Sequence, residues 1–568
     1  MNEHRNMILA IALSALVLFG WTFIAERWFP TANPPATKIE NGKSVPVPKP
    51  QADPTADSPT AIRDRRTVIA ESPRVAIVTP RLQGSLSLKG ARIDDLVLTT
   101  HRESLQANSP PIRLLSPGGT KDAYFANFGW SGDPGRVPGP DSVWTASGAR
   151  LAPGSPVRLS WDNGQGQRFE IDVSVDDAYM FTIAQRVANR GAGDFAVRPY
   201  SLVSRATASA DPDSWTMHVG PVGVFGGSAN YDWGYEDIAE QGDQRFSSTG
   251  GWIGFTDKYW LTALIPDQSR PAESALRRGR SGGFQADMTP SPAIVAPGRA
   301  VTQQSRFFAG AKEVELLERY QDEGGIAKFD KAIDWGWFEW FMKPIFSLLN
   351  WLFAAIGNFG AAIICLTLIV RLLMFPIAQK QFRSMAAMRV LQPKMKALQD
   401  RHKDDKPRLQ QEMLKLYQEE KVNPMAGCLP ILIQIPIFYA LYKVLLLAVE
   451  MRHKPFALWI KDLSAPDPLT PVNLFGFLDF QPPAFLALGV LPILLGVTMW
   501  LQFKLNPPPT DPVQKQVFGI MPWVLMFVMA PFAAGLQLYW TVNNILTILQ
   551  QKWLYSRHPG MKEAPQTS

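Results

Sequence analysis

Arg371 is the residue whose chemical type sits least easily in its surroundings. It lies within Phe359–Ile377, a stretch otherwise long and apolar enough to cross a bilayer, and no apolar segment of the chain carries an Asp or Glu to pair with it. A guanidinium keeps its proton in a protein, and near the middle of a membrane helix it costs roughly 2.5–3.5 kcal/mol. Its head can reach back towards water, because Arg371 precedes Ile377 by only about 9 Å at helical rise. Alternatively, water reaches the charge through a cavity open to one side, and that arrangement is functional.

Other polar residues within apolar segments could belong to such a cavity. Thr367 lies one turn before Arg371 on the same face, and Gln434 falls in Cys428–Val449. In the last apolar segment Gln537, Trp540 and Asn544 recur at i, i+3 and i+7, with Thr541 and Asn543 beside them and Tyr539 next to Trp540. Single amides in membranes commonly tie one helix to another. As a set converging on Arg371 they describe a hydrophilic groove. Covalent catalysis has no comparable set: the six histidines are scattered, no His-Glu-x-x-His occurs, and no serine sits in a nucleophile elbow. The two cysteines, Cys365 and Cys428, lie in or beside apolar segments, which leaves the soluble part without a disulfide or a thiolate metal site. No cofactor or metal is expected.

The elements that would position these residues follow from hydropathy. Met7–Ala25, behind a short basic start, reads as an uncleaved anchor ending in Trp28 and Phe29 (residues 1–29). Residues 30–60 hold eight prolines and describe an extended tether, here bounded as 30–64. From about 65 to 310 the period is two: Phe169, Ile171, Val173 and Val175 alternate with polar residues, as do Tyr179, Phe181, Ile183 and Val187. Val157, Leu159 and Trp161 precede an Asp162-Asn163-Gly164 turn, and the many hairpins predict a β-sandwich over 65–333 whose end, Lys312–Lys331, turns helical. Glycine-rich stretches such as 219–227 read as sharp turns.

Four Trp between 335 and 351, with Lys343 and Pro344, suit an interfacial helix over 334–358. Further spans are predicted at Phe359–Ile377, Cys428–Val449, Ala484–Phe503, Val517–Met529 and Ala533–Trp553, with Pro531 at the turn between the last two. With the anchor this makes six transmembrane helices, the last five within 359–557, and a short tail at 558–568. Lys443 is read as a snorkelling residue on the side opposite Arg371. Loop 379–427 carries eleven basic and six acidic residues, against three basic and four acidic at 450–483, which places the first loop and both termini in the cytoplasm and 31–358 outside. Within 379–427, Met388, Leu391, Met395 and Leu398 and then Leu409, Met413 and Leu416 recur at helical spacing. They predict a two-helix hairpin whose stripes pack together, or a methionine-rich surface for clients. A basic loop between spans is explained by charge bias rather than by nucleic acid.

Several runs resemble a known family. Val422-Asn423-Pro424, Gly427-Cys428-Leu429-Pro430-Ile431-Leu432-Ile433-Gln434-Ile435-Pro436-Ile437-Phe438, Pro455–Ile460 with Asp462-Leu463-Ser464, Gln392-Pro393-Lys394, Leu538-Tyr539-Trp540 and Ile369-Val370-Arg371 closely resemble the YidC membrane-protein insertases of Gram-negative type. The resemblance implies an inner-membrane insertase and folding chaperone with a periplasmic β-supersandwich similar to sugar-mutarotase folds. It also implies a groove open to cytoplasm and lipid, with Arg371 as its arginine, Gln434 and Trp540 lining it, and Tyr539 beside the client-contacting position. Nascent membrane proteins, lipids and the Sec translocon are the implied partners, with the ribosome and the signal-recognition-particle receptor as further candidates. Trp540 stands where Gram-negative members commonly carry tyrosine, and the short, weakly charged tail argues against strong ribosome binding through it. Two other readings stay open. A secondary transporter or channel would show internal repeats, and none pairs 359–449 with 484–553. A membrane-anchored carbohydrate-binding protein would need a defensible acid–base pair to act as an enzyme.

Overall fold

The structure is a computed structural model that describes residues 38–40, 43–45, 62–132, 136–213, 216–279, 282–402, 405–420, 429–478, 488–505 and 512–557. The anchor Met7–Ala25 and the tail 558–568 lie outside the described residues, as does Cys428. Within the expected tether, Lys38–Glu40 and Lys43–Val45 pair as a short antiparallel hairpin.

The β-domain is built from a 9-stranded and an 11-stranded sheet. Its middle follows the alternation read from the sequence. Val157–Asp162 pairs with Gln167–Val175, which pairs with Met180–Asn189, and that strand pairs with Ala300–Ala311. The Asn163 side chain shapes the first turn by accepting from the amides of Gln165 at 2.8 Å and Gln167 at 3.1 Å. The sheets face each other across aromatic contacts. Trp130 lies edge-on to Phe169 at 5.1 Å and Phe128 to Phe307 at 5.9 Å, each pair joining one sheet to the other.

The β-domain departs from the sequence reading at three places. A helix, α1 (Arg65–Ala70), precedes the first strand of the sandwich, because Asp64 caps it by accepting from the Arg66 amide at 2.8 Å. The stretch 219–227 is mainly a strand, Gly220–Phe225, and only Gly226 and Gly227 turn, at φ 55 and 75. A small helix, α2 (Tyr235–Gln241), breaks the run of strands. The domain then closes with α3 (Val314–Asp322) and a 3-10 turn at Phe329–Ala332.

Helix α4 (Glu339–Ile356) buries Met342, Phe346, Leu349 and Leu352, while Trp337, Trp340 and Trp351 stay exposed. That division is what an interface-lying helix requires. Trp335 leaves the exposed set: it precedes the helix, is buried, and packs on Phe346 at 6.0 Å. Helix α5 (Phe359–Arg401) runs unbroken for 43 residues, so the predicted span and the first arm of the predicted hairpin are one element. Its N-cap Asn358 accepts from the Ala361 amide at 3.0 Å. Pro376 and Pro393 lie inside it, and no glycine stands between Ile377 and Arg401 to end it. Helix α6 (Lys406–Glu419) folds back on it, with Leu391 and Met395 buried and the Tyr417 hydroxyl 4.0 Å from the Met395 sulfur. Met395 of the first stripe thus meets Tyr417 of the second helix.

The remaining helices are α7 (Leu429–Leu447), α8 (Val490–Leu505), α9 (Pro512–Met529) and α10 (Ala534–Arg557). Helix α8 is described from Val490, where Asp467 accepts from the Leu491 amide at 2.7 Å, and the predicted start at Ala484 lies outside the described residues. By length and composition Phe359–Gln379 can cross a bilayer, whereas Gln434–Leu447, Val490–Leu505 and Lys515–Met529 are shorter apolar helices.

Contacts between groups far apart in sequence dock the β-domain on the helices. Glu450 accepts from the Val314 amide at 2.8 Å, at the start of α3. Arg452 donates to the carbonyls of Arg102 at 2.7 Å and Glu103 at 3.2 Å, and its guanidinium lies 5.6 Å from the centre of the Trp260 ring. Lys343 joins α4 to Asp330 at 2.6 Å. Lys443 is almost fully buried, and its ammonium donates to the Asp334 carbonyl at 2.9 Å. It therefore does not snorkel to water as its position in the sequence suggested; it is taken up by the chain joining the two parts.

Candidate functional site

Arg371 sits on α5 and points at α10. Its Nε donates to the Asn543 side-chain oxygen at 2.8 Å, and Nη2 donates to the Asn543 carbonyl at 3.1 Å and to the Thr547 hydroxyl. Asn543 and Thr547 are one turn apart, and Thr547 in turn donates to the Asn543 carbonyl at 2.7 Å. Every one of these acceptors is neutral. Among the described residues no carboxylate pairs with Arg371, and its Nη1 makes no protein hydrogen bond. Among the described residues the cation is thus oriented by one helix and has no carboxylate to compensate its charge.

The second polar pair joins α7 to α10: Gln434 donates through Nε2 to the Tyr539 hydroxyl. Tyr539 is buried, one helical turn before Asn543. Trp540, the next residue, turns to α7 and packs against Phe438 at 4.8 Å. Gln434 from α7 and Arg371 from α5 therefore meet α10 one turn apart, at Tyr539 and Asn543.

The other expected members are engaged elsewhere. Thr367 is fully buried and donates to the Ile363 carbonyl of its own helix at 2.7 Å. Asn544 crosses to α8 and donates to the Thr498 hydroxyl at 3.2 Å. Gln537 donates to the carbonyls of Met529 and Phe532, both at 2.8 Å, and so ties the end of α9 to the turn before α10. Thr547 was missed from the sequence. The available signal was its i, i+4 relation to Asn543, which puts both on one helical face.

The outward faces around this cluster are apolar. Leu372 and Leu373, directly after Arg371, are about 70% exposed, and Ile520, Val524 and Phe527 on α9 and Ile545 and Leu549 on α10 are exposed as well. Large contiguous apolar exposure marks a surface meant for something other than water. Among the described residues no group of three or more His, Cys, Asp or Glu could hold a metal ion.

The chain matches two family models, the YidC periplasmic domain over residues 74–348 and the 60Kd inner membrane protein over 351–562. It is 49% identical to a membrane protein insertase YidC of Zymomonas mobilis, over 99% of this chain and 97% of that relative. A YidC insertase of Methylorubrum extorquens is 43% identical, over 99% of this chain and 96% of its own length. A solved structure of an active YidC insertase is 18% identical and covers 88% of this chain and 95% of its own, with a TM-score of 0.37.

Proposed function

The chain belongs to the YidC family of membrane-protein insertases, and from that premise we propose that Arg371 is the working cation of a hydrophilic groove that eases polar peptide across the inner membrane. The observation that carries this is the guanidinium held, among the described residues, by neutral acceptors on α10. A structural ion pair would cancel the charge; this arrangement orients it and keeps it available.

The task is to lower a transfer barrier. A client's hydrophilic terminus or loop must cross hydrocarbon, where each bare polar group costs several kcal/mol. A wet groove reaching partway across shortens the dry path. Arg371 attracts acidic residues of the client, Gln434 and the Tyr539 hydroxyl offer polar contacts along the way, and the client's apolar segment leaves along α7 and the exposed face of α9 into lipid. The helical hairpin of α5 and α6 receives the client first. Six spans, with both termini in the cytoplasm and the β-domain in the periplasm, make the groove open to the cytoplasm and to lipid. Clients are nascent membrane proteins, inserted by this chain alone or with the Sec translocon, and the ribosome and the signal-recognition-particle receptor are candidate delivery partners.

The test is insertion of a small single-span client with an acidic translocated segment into proteoliposomes containing wild type, Arg371→Ala or Arg371→Lys. Loss in the Ala variant and substantial recovery in the Lys variant are expected, because bulk charge matters more here than the guanidinium fork. Equal insertion by Ala and wild type removes the role.

A further inference from the structure

A half-enclosed cleft of about 330 Å³ lies where the β-domain meets the helices, a volume at the lower end of the roughly 300–1,000 Å³ range of ligand clefts. Its walls are mostly apolar: Tyr442, Leu445 and Leu446 near the end of α7, Phe532 from the turn between α9 and α10, and Leu536 from the first turn of α10. Tyr442 and Phe532 meet edge to face at 5.7 Å. In the proposed topology the end of α7 and the α9–α10 turn both lie at the periplasmic end of the helices, at headgroup depth.

The charged residue lining the cleft is Lys258, and the β-domain supplies it deliberately. The strands Trp252–Thr256 and Trp260–Ile265 form a hairpin, closed where the Asp257 amide donates to the Trp260 carbonyl at 2.9 Å. Lys258 and Tyr259 are its tip. The Lys258 ammonium lies 4.9 Å from the centre of the Tyr259 ring. Asp211 accepts from the Lys258 backbone amide at 2.9 Å, and among the described residues no carboxylate pairs with the ammonium. Ser464, also on the rim, donates its hydroxyl to Asp462 at 2.7 Å. An apolar slot at headgroup depth, with Lys258 among its lining residues and no carboxylate on that ammonium among the described residues, fits an acyl chain below an anionic headgroup.

We propose that this cleft binds an anionic phospholipid of the periplasmic leaflet, with its phosphate on Lys258 and an acyl chain against Tyr442, Leu446 and Phe532. The proposal rests on the membrane topology given above. The bound lipid would link the hairpin tip of the β-domain to the helices and fix how the domain sits over the membrane.

The experiment uses the full chain in phosphatidylethanolamine proteoliposomes doped with either photoactivatable phosphatidylglycerol or photoactivatable phosphatidylcholine of the same acyl chain. Adducts are mapped by mass spectrometry. Phosphatidylglycerol should label the peptides containing 442–446 and 531–536 roughly fivefold more than phosphatidylcholine, about the contribution of one lysine near anionic lipid. Lys258→Glu should bring labelling down to the phosphatidylcholine level, and Lys258→Arg should keep it. Leu446→Trp, which fills the slot and leaves the charge, should lose the adduct while the protein keeps its wild-type melting temperature. Equal labelling by the two lipids, labelling unchanged in Lys258→Glu, or crosslinks at these peptides from a client segment in place of lipid would overturn the proposal. Client insertion is followed in the same vesicles. Absent lipid adducts with normal insertion sink the lipid site alone, whereas normal insertion by Arg371→Ala sinks the groove and leaves the lipid result standing.

Discussion

The β-domain and the helical core treat buried arginines in opposite ways. In the β-domain Arg205 ends on Asp257 at 2.8 Å, Arg198 on Glu273 at 2.8 Å, and Arg277 on Asp243 at 2.9 Å. Each of these three cations has a carboxylate, so its charge is consumed in holding strands and loops together, whereas the buried Lys312 ammonium of the same domain ends on the neutral Thr256 hydroxyl at 2.8 Å. In the core, Arg371 is gripped just as firmly through three hydrogen bonds, yet none ends on a charge. Geometry is fixed at all four arginines, and of these four Arg371 is the one whose charge leaves an electrostatic demand for a partner to answer. The β-domain is therefore read as scaffold and the core as the working part.

The sharpest way to break that contrast is to remove each side of it. An attraction between unit charges near 4 Å is worth about 4 kcal/mol at an intermediate dielectric, so Arg371→Ala should slow insertion of an acidic-loop client by roughly tenfold or more. Deleting residues 65–310, which retains α3 and α4, should change the rate by less than about threefold. Rates come from protease protection of the client in proteoliposomes. A deletion as damaging as Arg371→Ala would mean that the β-domain shares the work.

The contrast can also be reversed in place. Asn543→Asp would give Arg371 the carboxylate that its counterparts in the β-domain have. The paired charge should hold or raise thermal stability while lowering acidic-client insertion towards the Ala level. Asn543→Leu removes both the orientation and an acceptor; it should cost about 1–3 kcal/mol of stability and reduce insertion less than Asn543→Asp does. If Asn543→Asp inserts normally, an uncompensated charge is not what the core provides.

Much of this was legible in the sequence, and the limits have physical causes. Alternation fixed the strands from Val157 to Asn189 because a one-sided sheet repeats every two residues. Gln434 was reached as a polar residue within an apolar segment, Tyr539 through the family resemblance, and Arg371 through its cost in hydrocarbon, but the bond between Gln434 and Tyr539 was not read. Which face of α10 meets α5 could not be read, since that helix is polar on several faces: Asn543 and Thr547 look to Arg371, Asn544 to Thr498, and Gln537 to the end of α9. The docking by Arg452 escaped because its acceptors are the backbone carbonyls of Arg102 and Glu103. A carbonyl is present at every residue, so sequence carries no mark of the one that will be used.

Packing offers a smaller, paired test. A Cβ on Gly254 would strike the backbone oxygen of Thr262 in the neighbouring strand, and one on Gly360 would overlap the Phe456 ring at the start of α5. Each Ala substitution should cost about 1–3 kcal/mol. Gly254→Ala should lower the melting temperature of the β-domain and spare insertion, whereas Gly360→Ala should impair both core stability and insertion. Equal loss of insertion in the two variants would show that the regions fail together.

The smallest effect expected lies at the junction, where the two regions share a pH response. Burial pushes Glu450 from 4.5 up to about 7, helped by Glu313 and Glu315 and opposed by the Val314 amide. Burial pushes His101 from 6.5 down to about 4, against the pull of Glu313 and with Arg452, Arg81 and Lys454 adding to the fall. Folded Glu450 holds its proton more tightly than the unfolded chain does, so its contribution grows as pH drops from about 7 to 4.5. Folded His101 resists its proton, so its contribution shrinks as pH drops from 6.5 to about 4. Over the shared window the two oppose each other, each at about 1.4 kcal/mol per pH unit at most, and the wild-type melting temperature should stay nearly flat. Glu450→Gln should expose the histidine and make the purified protein melt lower in acid. His101→Gln should expose the glutamate and make it melt higher, and the double variant should be flat again. Tryptophan-monitored melts between pH 4 and 8 read all four profiles, and a Glu450→Gln profile matching wild type would remove Glu450 from the junction's balance.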